Sequence, residues 1–175
     1  MPDPNSIEDE WHALLFGVRR SALYHNKRVQ FFDRSHKYIS FFTLISGFGT
    51  ITTLMSAMDI HITMIAAAIV SILSAIDLIF TPANQARLHN ELKRRFVDLE
   101  RNIIVKNASQ KDLVTFTSKR LLIENDEPPA LRVLDVICHN DLMRSMGYDK
   151  ADYKKVTWVQ RFCADLFDFR LHSID

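Results

Sequence analysis

Glycine and cysteine are scarce in this chain, and their scarcity excludes several kinds of site. Only 4 glycines occur among 175 residues, which leaves little material for a glycine-rich loop that cradles phosphates. The 2 cysteines, Cys138 and Cys163, lack the spacing of a zinc site and are too few for a disulfide framework. The motifs GxSxG, HExxH and CxxC are also absent. We therefore expect no enzyme, no cofactor and no metal site.

Charge is nearly balanced over the whole chain but is unevenly distributed along it. The formal net charge of +1 gives no global field that would favour nucleic acid as a partner. The N-terminal stretch MPDPNSIEDEW is acidic and lacks the basic and apolar regions of a secretory signal peptide. Residues 38–58 contain no charged residue, and only His61 and Asp77 interrupt the apolar residues 60–81.

These two apolar stretches predict a transmembrane helical hairpin that turns around Asp59. A helix rises about 1.5 Å per residue, so each stretch would be about 30 Å long, the thickness of a bilayer's hydrocarbon core. Lysine and arginine flank the outer ends of both stretches and are absent from the connection. The positive-inside rule then places both termini in the cytoplasm. The alternative is the central hairpin of a soluble bundle, but the flanking segments offer only narrow apolar stripes to cover it.

Small and hydroxylated residues recur at three- and four-residue spacing along both stretches, which is typical of membrane helices that pack closely. A single hairpin can bury only part of this surface. We therefore expect a homo-oligomer in which the remaining stripe forms subunit contacts or lines a water-filled lumen. The candidate pore or packing face comprises Ser40, Thr43, Gly47, Thr50, Ser71, Ser74 and Asp77.

Asp77 is the one carboxylate within the two apolar stretches. A carboxylate at the bilayer centre costs about 2.5–3.5 kcal/mol on insertion scales, but Asp77 lies close to Pro82 and the predicted cytoplasmic end. Folding the hairpin brings it level with about Phe42, within reach of Thr43. Two hypotheses follow: a structural carboxylate tied to the partner helix or the headgroups, or a functional charge at a pore mouth or proton-linked switch.

The remaining segments show helical periodicity and no sustained strand alternation. Ser6 with Asp9, and Ser109 with Asp112, indicate helix starts. We predict an all-α fold, in which the two-helix transmembrane hairpin is extended by a cytoplasmic helical stalk and bundle within a single domain, residues 1–175. Its predicted segments are an amphipathic helix 6–37, spans 38–58 and 60–81, a stalk helix 83–107, and C-terminal helices within 110–170, one from Pro129 to Gly147 and one from Tyr153 to Phe169.

His25, Asp33 and His36 fall within one angular sector of the first predicted helix. A metal site is one hypothesis for this group, but a lone helix supplies poor ligand geometry. Hydrogen bonds between helices, or solvation, are the alternative interpretation.

The order of motifs around the hairpin resembles that of the SLATT domain. ALYHNKRVQFFDRSHKY leads into a span containing GFGT, a second span ends in LSAIDLIF, and ARLHNELKRRFVDLE follows. The resemblance covers about residues 10–107 well and the C-terminal helices more loosely. SLATT domains are two-span effectors encoded beside SMODS nucleotidyltransferases and SLOG sensors in bacterial conflict systems. The positions that match the polar residues of that family are Tyr24, His25, Arg28, Asp77 and His89.

The resemblance implies a pore-forming or membrane-disrupting effector of antiphage defence, located in the bacterial inner membrane. This sequence carries no fused sensor domain, so the resemblance implies a trigger from a sensor or nucleotidyltransferase encoded nearby, or from a nucleotide signal. The alternative function is a membrane-anchored helical module that recruits a partner without forming a pore.

Overall fold

A computed structural model describes residues 4–55 and 60–168, without the side chains of residues 4–6, 50 and 53–55. The described residues form helices and contain no strand, which confirms the predicted all-α class. The predicted turn at Asp59 lies outside them. The helices are α1 (Pro4–Met55), α2 (Ile60–Phe80), α3 (Pro82–Ile104), α4 (Gln110–Glu124), α5 (Arg132–Ser145) and α6 (Trp158–Cys163), with a short 3₁₀ helix (Lys150–Asp152) before α6.

The chain divides into two compact units. Met1–Arg28 and His89–Asp175 form the first, here called the bundle unit, and Val29–Leu88 form the second, the apolar unit. α1 contributes residues to both units because no proline or glycine interrupts it between residues 18 and 46. The amphipathic helix and the first apolar stretch are therefore one continuous helix, as the sequence predicts.

The core of the bundle unit forms where apolar positions of α1, α3 and α4 meet. Three- and four-residue spacing places these side chains on one face of each helix, and Val18, Phe96 and Ile103 are fully buried. Burying such a side chain contributes about 1.5–3 kcal/mol. The buried members of this cluster are Leu14, Val18, Ala22, Leu92, Phe96, Leu99, Ile103, Leu113, Phe116 and Ile123.

A second buried cluster joins α1 to α5 and to the segment after α6. It comprises Tyr24, Val133, Leu134, Ile137, Cys138 and Ala164. The start of α5 differs from the prediction, since the helix begins at Arg132 and not at Pro129. The backbone N–H groups of Arg132 and Val133 donate to the Asp168 carboxylate at 3.1 and 3.0 Å. A residue distant in the sequence therefore caps α5, which local sequence signals do not reveal.

The other helix ends agree more closely with the local signals. Ser109 accepts a hydrogen bond from the backbone N–H of Asp112 at 3.2 Å, which confirms the predicted cap of α4. Gly147, with φ +81°, follows the end of α5 in the left-handed region that glycine adopts readily. The Ser6 side chain, the predicted cap of the first helix, lies outside the described part.

The last predicted helix, Tyr153 to Phe169, is shorter in the structure. A capping box starts α6 at Trp158, because Thr157 accepts from the Gln160 N–H and Gln160 accepts from the Thr157 N–H. The helix ends at Cys163. Phe169 lies outside the described residues.

Candidate functional site

One helical stretch in the described chain, Ile60–Ile104, is long and apolar enough to cross a membrane by length and composition. The mean hydropathy of its most apolar window is 2.3, and none of that window is buried. The other predicted span, residues 38–58, runs partly outside the described residues. A two-span hairpin is therefore not confirmed. What the structure supports is one candidate span.

Large apolar side chains cover the outside of the apolar unit on both α1 and α2. Leu44, Leu78 and Ile79 are more than 70% exposed. Exposed apolar surface of this extent marks contact with a membrane or another protein. Further examples are Phe41, Phe42, Ile45, Phe48 and Ile51 on α1, and Ile60, Met64, Ile65, Ile72 and Phe80 on α2.

Four residues of the predicted pore or packing face line one open groove in the apolar unit. Ser40 and Thr43 of α1 and Ser74 and Asp77 of α2 border this groove of about 600 Å³. The remaining lining is apolar: Ile39, Leu44 and Leu78. This groove, here called the polar groove, brings hydroxyl groups and a carboxylate together on a surface that is otherwise apolar.

Other residues of the predicted face are not brought into the polar groove. Ser71 is exposed, and its hydroxyl donates to the backbone oxygen of Ala67 at 2.9 Å. A Cβ added at Gly47 would meet no atom within 4 Å, so the close helix contact expected there does not occur among the described residues. The Thr50 side chain lies outside them. The half-buried side of α2 comprises Thr63, Ala66, Val70, Leu73 and Asp77.

Asp77 lies opposite His36, which is nearly two helical turns before Phe42 and Thr43, the residues that the sequence suggested. The His36 Nδ1 and Asp77 Oδ1 atoms are 3.5 Å apart. Both atoms are buried and have no hydrogen-bond partner among the described residues, although each side chain is nearly half exposed. The contact shows that Asp77 of the polar groove has a basic side chain of α1 beside it.

The metal hypothesis for His25, Asp33 and His36 finds no support. His25 belongs to the bundle unit and has partners there, while His36 faces Asp77 within the apolar unit. No group of three or more histidine, cysteine, aspartate or glutamate side chains that could hold a metal occurs in residues 4–55 and 60–168.

The bundle unit contains a buried polar cluster, here called the histidine cluster, formed by His25, His89 and Glu127. The two histidines are 1% and 2% exposed, and their Nδ1 atoms are 2.8 Å apart. The His25 Nε2 atom lies 3.2 Å from the Glu127 carboxylate. Phe96 stacks on the His25 ring, with centroids 5.6 Å apart. α1, α3 and the connection after α4 therefore meet at this cluster.

The hydrogen-bonding partners define how the protons are arranged. A carboxylate only accepts, so His25 Nε2–H donates to Glu127, and in the neutral ring His25 Nδ1 is then the acceptor. With His25 in this form, His89 Nδ1–H donates to it. Burial, together with smaller contributions from the neighbouring His25 and Arg28, lowers the pKa of His89 to about 4. His89 is therefore neutral at physiological pH, which agrees with this arrangement.

Tyr24 and Arg28 extend the cluster toward α5 and the C-terminal segment. The Tyr24 hydroxyl accepts from the Leu131 N–H at 3.0 Å, and burial raises its pKa. The Arg28 guanidinium donates to the backbone oxygen of Asp165 at 2.7 Å, and burial lowers its pKa. The sequence placed Tyr24, His25, Arg28 and His89 among polar positions without pairing them, and it gave no sign of Glu127. His25 and His89 lie at helical spacing from apolar residues of α1 and α3 that are buried, and this spacing is the signal that could have indicated burial of the two histidines.

Cys138 adds no active nucleophile to the bundle unit. Cys138 is fully buried, and burial raises the pKa of its thiol to about 12, so it stays protonated.

Comparison of the chain with protein-family models, curated proteins and solved structures found no match.

Proposed function

We propose that this chain is a membrane-embedded, oligomeric effector that forms a pore or disrupts the bilayer. The observation that carries the proposal is α2, an apolar helix that is long enough to cross a membrane and has no buried residue in its most apolar window. A soluble core helix would be covered by other helices, and this one is not. We propose further that residues 38–58 form a second span and that both termini are cytoplasmic, as the distribution of lysine and arginine indicates.

The polar groove supports self-association. Hydroxyl groups and a carboxylate facing lipid tails lose their water without gaining partners, which is costly. Facing another copy or a water-filled lumen removes that cost. Since two helices cannot enclose a channel by themselves, the lumen would be built from several copies, with Ser40, Thr43, Ser74 and Asp77 near its lining.

The biological setting of this proposal rests on the resemblance to SLATT domains. It places the chain in the inner membrane of a bacterium, as the effector of an antiphage or other conflict system. A sensor or nucleotidyltransferase encoded nearby, or a nucleotide signal, would trigger it. The bundle unit has open grooves of its own on which such a trigger could act.

Ion leakage from liposomes tests the proposal directly. The purified chain, reconstituted with the components encoded beside it, should release a small-ion gradient, and tight vesicles under all triggering conditions would disprove pore formation. Asp77→Asn should change conductance or toxicity at unchanged membrane abundance if Asp77 acts in the pathway. Asp33→Asn, an exposed carboxylate of the same unit outside the polar groove, is the matched control and should behave like the parent.

The second candidate is a membrane-anchored helical interaction module. It is favoured by an open groove of about 580 Å³ on the bundle unit, bordered by α1 and α4 and lined by Leu14, Leu113 and Leu121 among others. Replacing residues 38–81 with an unrelated two-span anchor distinguishes the two functions. A module would keep its activity after the exchange, whereas a pore former would lose it.

A further inference from the structure

The segment around α6 displays large apolar side chains on the surface of the bundle unit. Trp158 is 81% exposed and Phe162 is 79% exposed, and Leu166 and Phe167 are 61% and 51% exposed. Trp158 and Phe162 are four residues apart on α6 and therefore lie on the same face, with Leu166 in the turn that follows. We call these four residues the aromatic patch.

The opposite side of this segment is firmly attached, so the aromatic patch has a fixed outward direction. Gln160 and Ala164 are 1% and 2% exposed. The Thr157–Gln160 capping box fixes the start of the helix, and Arg28 holds the backbone oxygen of Asp165. The buried residues of this segment are a polar one, Gln160, and a small one, Ala164, while the large aromatic side chains of Trp158 and Phe162 face outward. The exposure of the aromatic side chains is therefore built into the fold.

Basic side chains accompany the aromatic patch in the chain. Lys154, Lys155 and Arg161 are exposed, and none forms an ion pair with a residue that the structure describes. Asp168 and Asp149 cap α5 and the 3₁₀ helix, and they keep their negative charge in these roles. Asp165 and Asp168 are half-buried, whereas among the exposed side chains of residues 149–168 the four cations outnumber the two carboxylates: Lys150, Lys154, Lys155 and Arg161 against Asp149 and Asp152.

We propose that the aromatic patch and these three basic residues bind the headgroup region of an anionic membrane. Tryptophan and phenylalanine suit that region because one part of the layer is apolar and the other is wet, and basic side chains meet the lipid phosphates. Each lysine or arginine near an anionic surface strengthens binding by about fivefold. A second copy of the chain is a poorer occupant, because a symmetric contact would bring the same cations together.

This inference rests on the proposed membrane location, and it adds a second place of membrane contact outside the spanning segments. The proposed contact is with the headgroup region of the bilayer and does not involve a further membrane-spanning segment.

Tryptophan fluorescence of the full-length chain tests the inference. The chain has 2 tryptophans, and Trp11→Phe leaves Trp158 as the single reporter while retaining an aromatic ring against Phe116. This variant is reconstituted into nanodiscs of brominated phosphatidylglycerol or brominated phosphatidylcholine. We expect strong bromine quenching of Trp158 and protection from acrylamide in the anionic nanodiscs, with weaker quenching in the zwitterionic ones and at high salt.

A triple variant tests the contribution of charge. In the Trp11→Phe background, Lys154→Gln, Lys155→Gln and Arg161→Gln should together shift the equilibrium away from the lipid-bound state by about a hundredfold. The matched control removes three exposed charges elsewhere on the bundle unit, by Arg94→Gln, Lys106→Gln and Lys111→Gln. It should retain the quenching of the parent.

Three results would overturn the inference. If acrylamide quenches Trp158 and bromine does not, Trp158 lies in water. If neither quencher reaches Trp158, another copy or another part of the chain covers it. Equal bromine quenching in both lipids excludes recognition of anionic headgroups. Ion leakage with any of these results leaves the proposed function intact, whereas failure of the chain to float with the lipid disproves both.

Discussion

The Nδ1 atoms of His25 on α1 and His89 on α3 lie 2.8 Å apart inside the bundle unit, although the two residues are 64 positions apart in the sequence. This distance requires that one ring donates and the other accepts, so at most one of the two facing nitrogens carries a proton. With a neutral His25, Glu127 determines which nitrogen carries this proton. The carboxylate accepts from His25 Nε2–H, so His25 Nδ1 is the acceptor and His89 Nδ1 carries the proton. Protonating the acceptor would place two N–H groups against each other in a buried site.

The first prediction is that acid destabilises the bundle unit through His89. Burial holds its folded pKa at about 4, while an unfolded histidine titrates near 6.5. The unfolded chain therefore binds the proton more readily, so the stabilisation is complete above about pH 6.5 and is lost as pH falls toward 4. The loss should reach about 3 kcal/mol. Unfolding of the detergent-solubilised chain, followed by circular dichroism from pH 7.5 to 4, measures it.

His89→Gln provides the comparison for this pH dependence. Glutamine can donate a hydrogen bond but does not titrate, so the variant should be less stable at pH 7 and should lose less stability between pH 6.5 and 4. His12→Gln removes an exposed histidine and should retain the slope of the parent. An unchanged slope in His89→Gln would show that another group controls the acid response.

The second prediction concerns the hydrogen bond from the Leu131 N–H to the Tyr24 hydroxyl. Tyr24→Phe leaves that N–H without its partner beside a buried cluster, which should cost about 1–3 kcal/mol. Tyr153→Phe removes a hydroxyl in an exposed contact with the Tyr148 backbone oxygen and should change stability by less than about 0.5 kcal/mol. Denaturant titration of both variants checks the difference, and equal effects would contradict the structural role of Tyr24.

The third prediction tests the core between α1, α3 and α4. Phe96 is fully buried and also stacks on His25, so Phe96→Ala should lower the free energy of unfolding by about 3–5 kcal/mol. Val97→Ala, at a neighbouring position that is 47% exposed, should have an effect near zero. Thermal unfolding of the two variants in the same detergent gives the comparison. A small loss for Phe96→Ala would mean that the bundle unit repacks around the cavity.

The fold was predictable wherever local chemistry determines it. Helical periodicity predicted the stalk helix 83–107, which the structure has as α3, and Ser109 predicted the cap of α4, because both signals depend on neighbouring residues. The helix start at Arg132 was not predictable, since its cap is Asp168, far along the chain. The shorter α6 has a different cause, because a local capping box between Thr157 and Gln160 starts the helix at Trp158 and not at Tyr153.

The candidate site was predictable only in part, for a related physical reason. Spacing selected Ser40, Thr43, Ser74 and Asp77, which line one groove. It could not give the rotation of α1 against α2, so it missed His36 as the residue that faces Asp77. Periodicity likewise indicates which face of a helix is apolar, but it does not indicate that two histidines of that face meet ring to ring.

The fourth prediction is that the exposed side of α2 mediates self-association in the membrane. Ala67 and Ser71, four residues apart, form a stripe of small side chains that stays exposed in the single chain and lies outside the polar groove, and such stripes let membrane helices approach closely. In a Cys138→Ala, Cys163→Ser background, Ser71→Cys should form cross-linked dimers and higher species when membranes are oxidised. The yield is read on non-reducing gels after detergent extraction.

Ile72→Cys is the matched control for this cross-linking. Ile72 is 59% exposed, but as the next residue on the helix its side chain points about 100° away from Ser71. It should face lipid and cross-link weakly at the same protein density. Equal yields at both positions would indicate random collision in the membrane, and no yield at Ser71 would exclude the stripe as a subunit contact. A strong preference for Ser71 would place the exposed stripe between subunits, which leaves the polar groove with Asp77 to face the lumen.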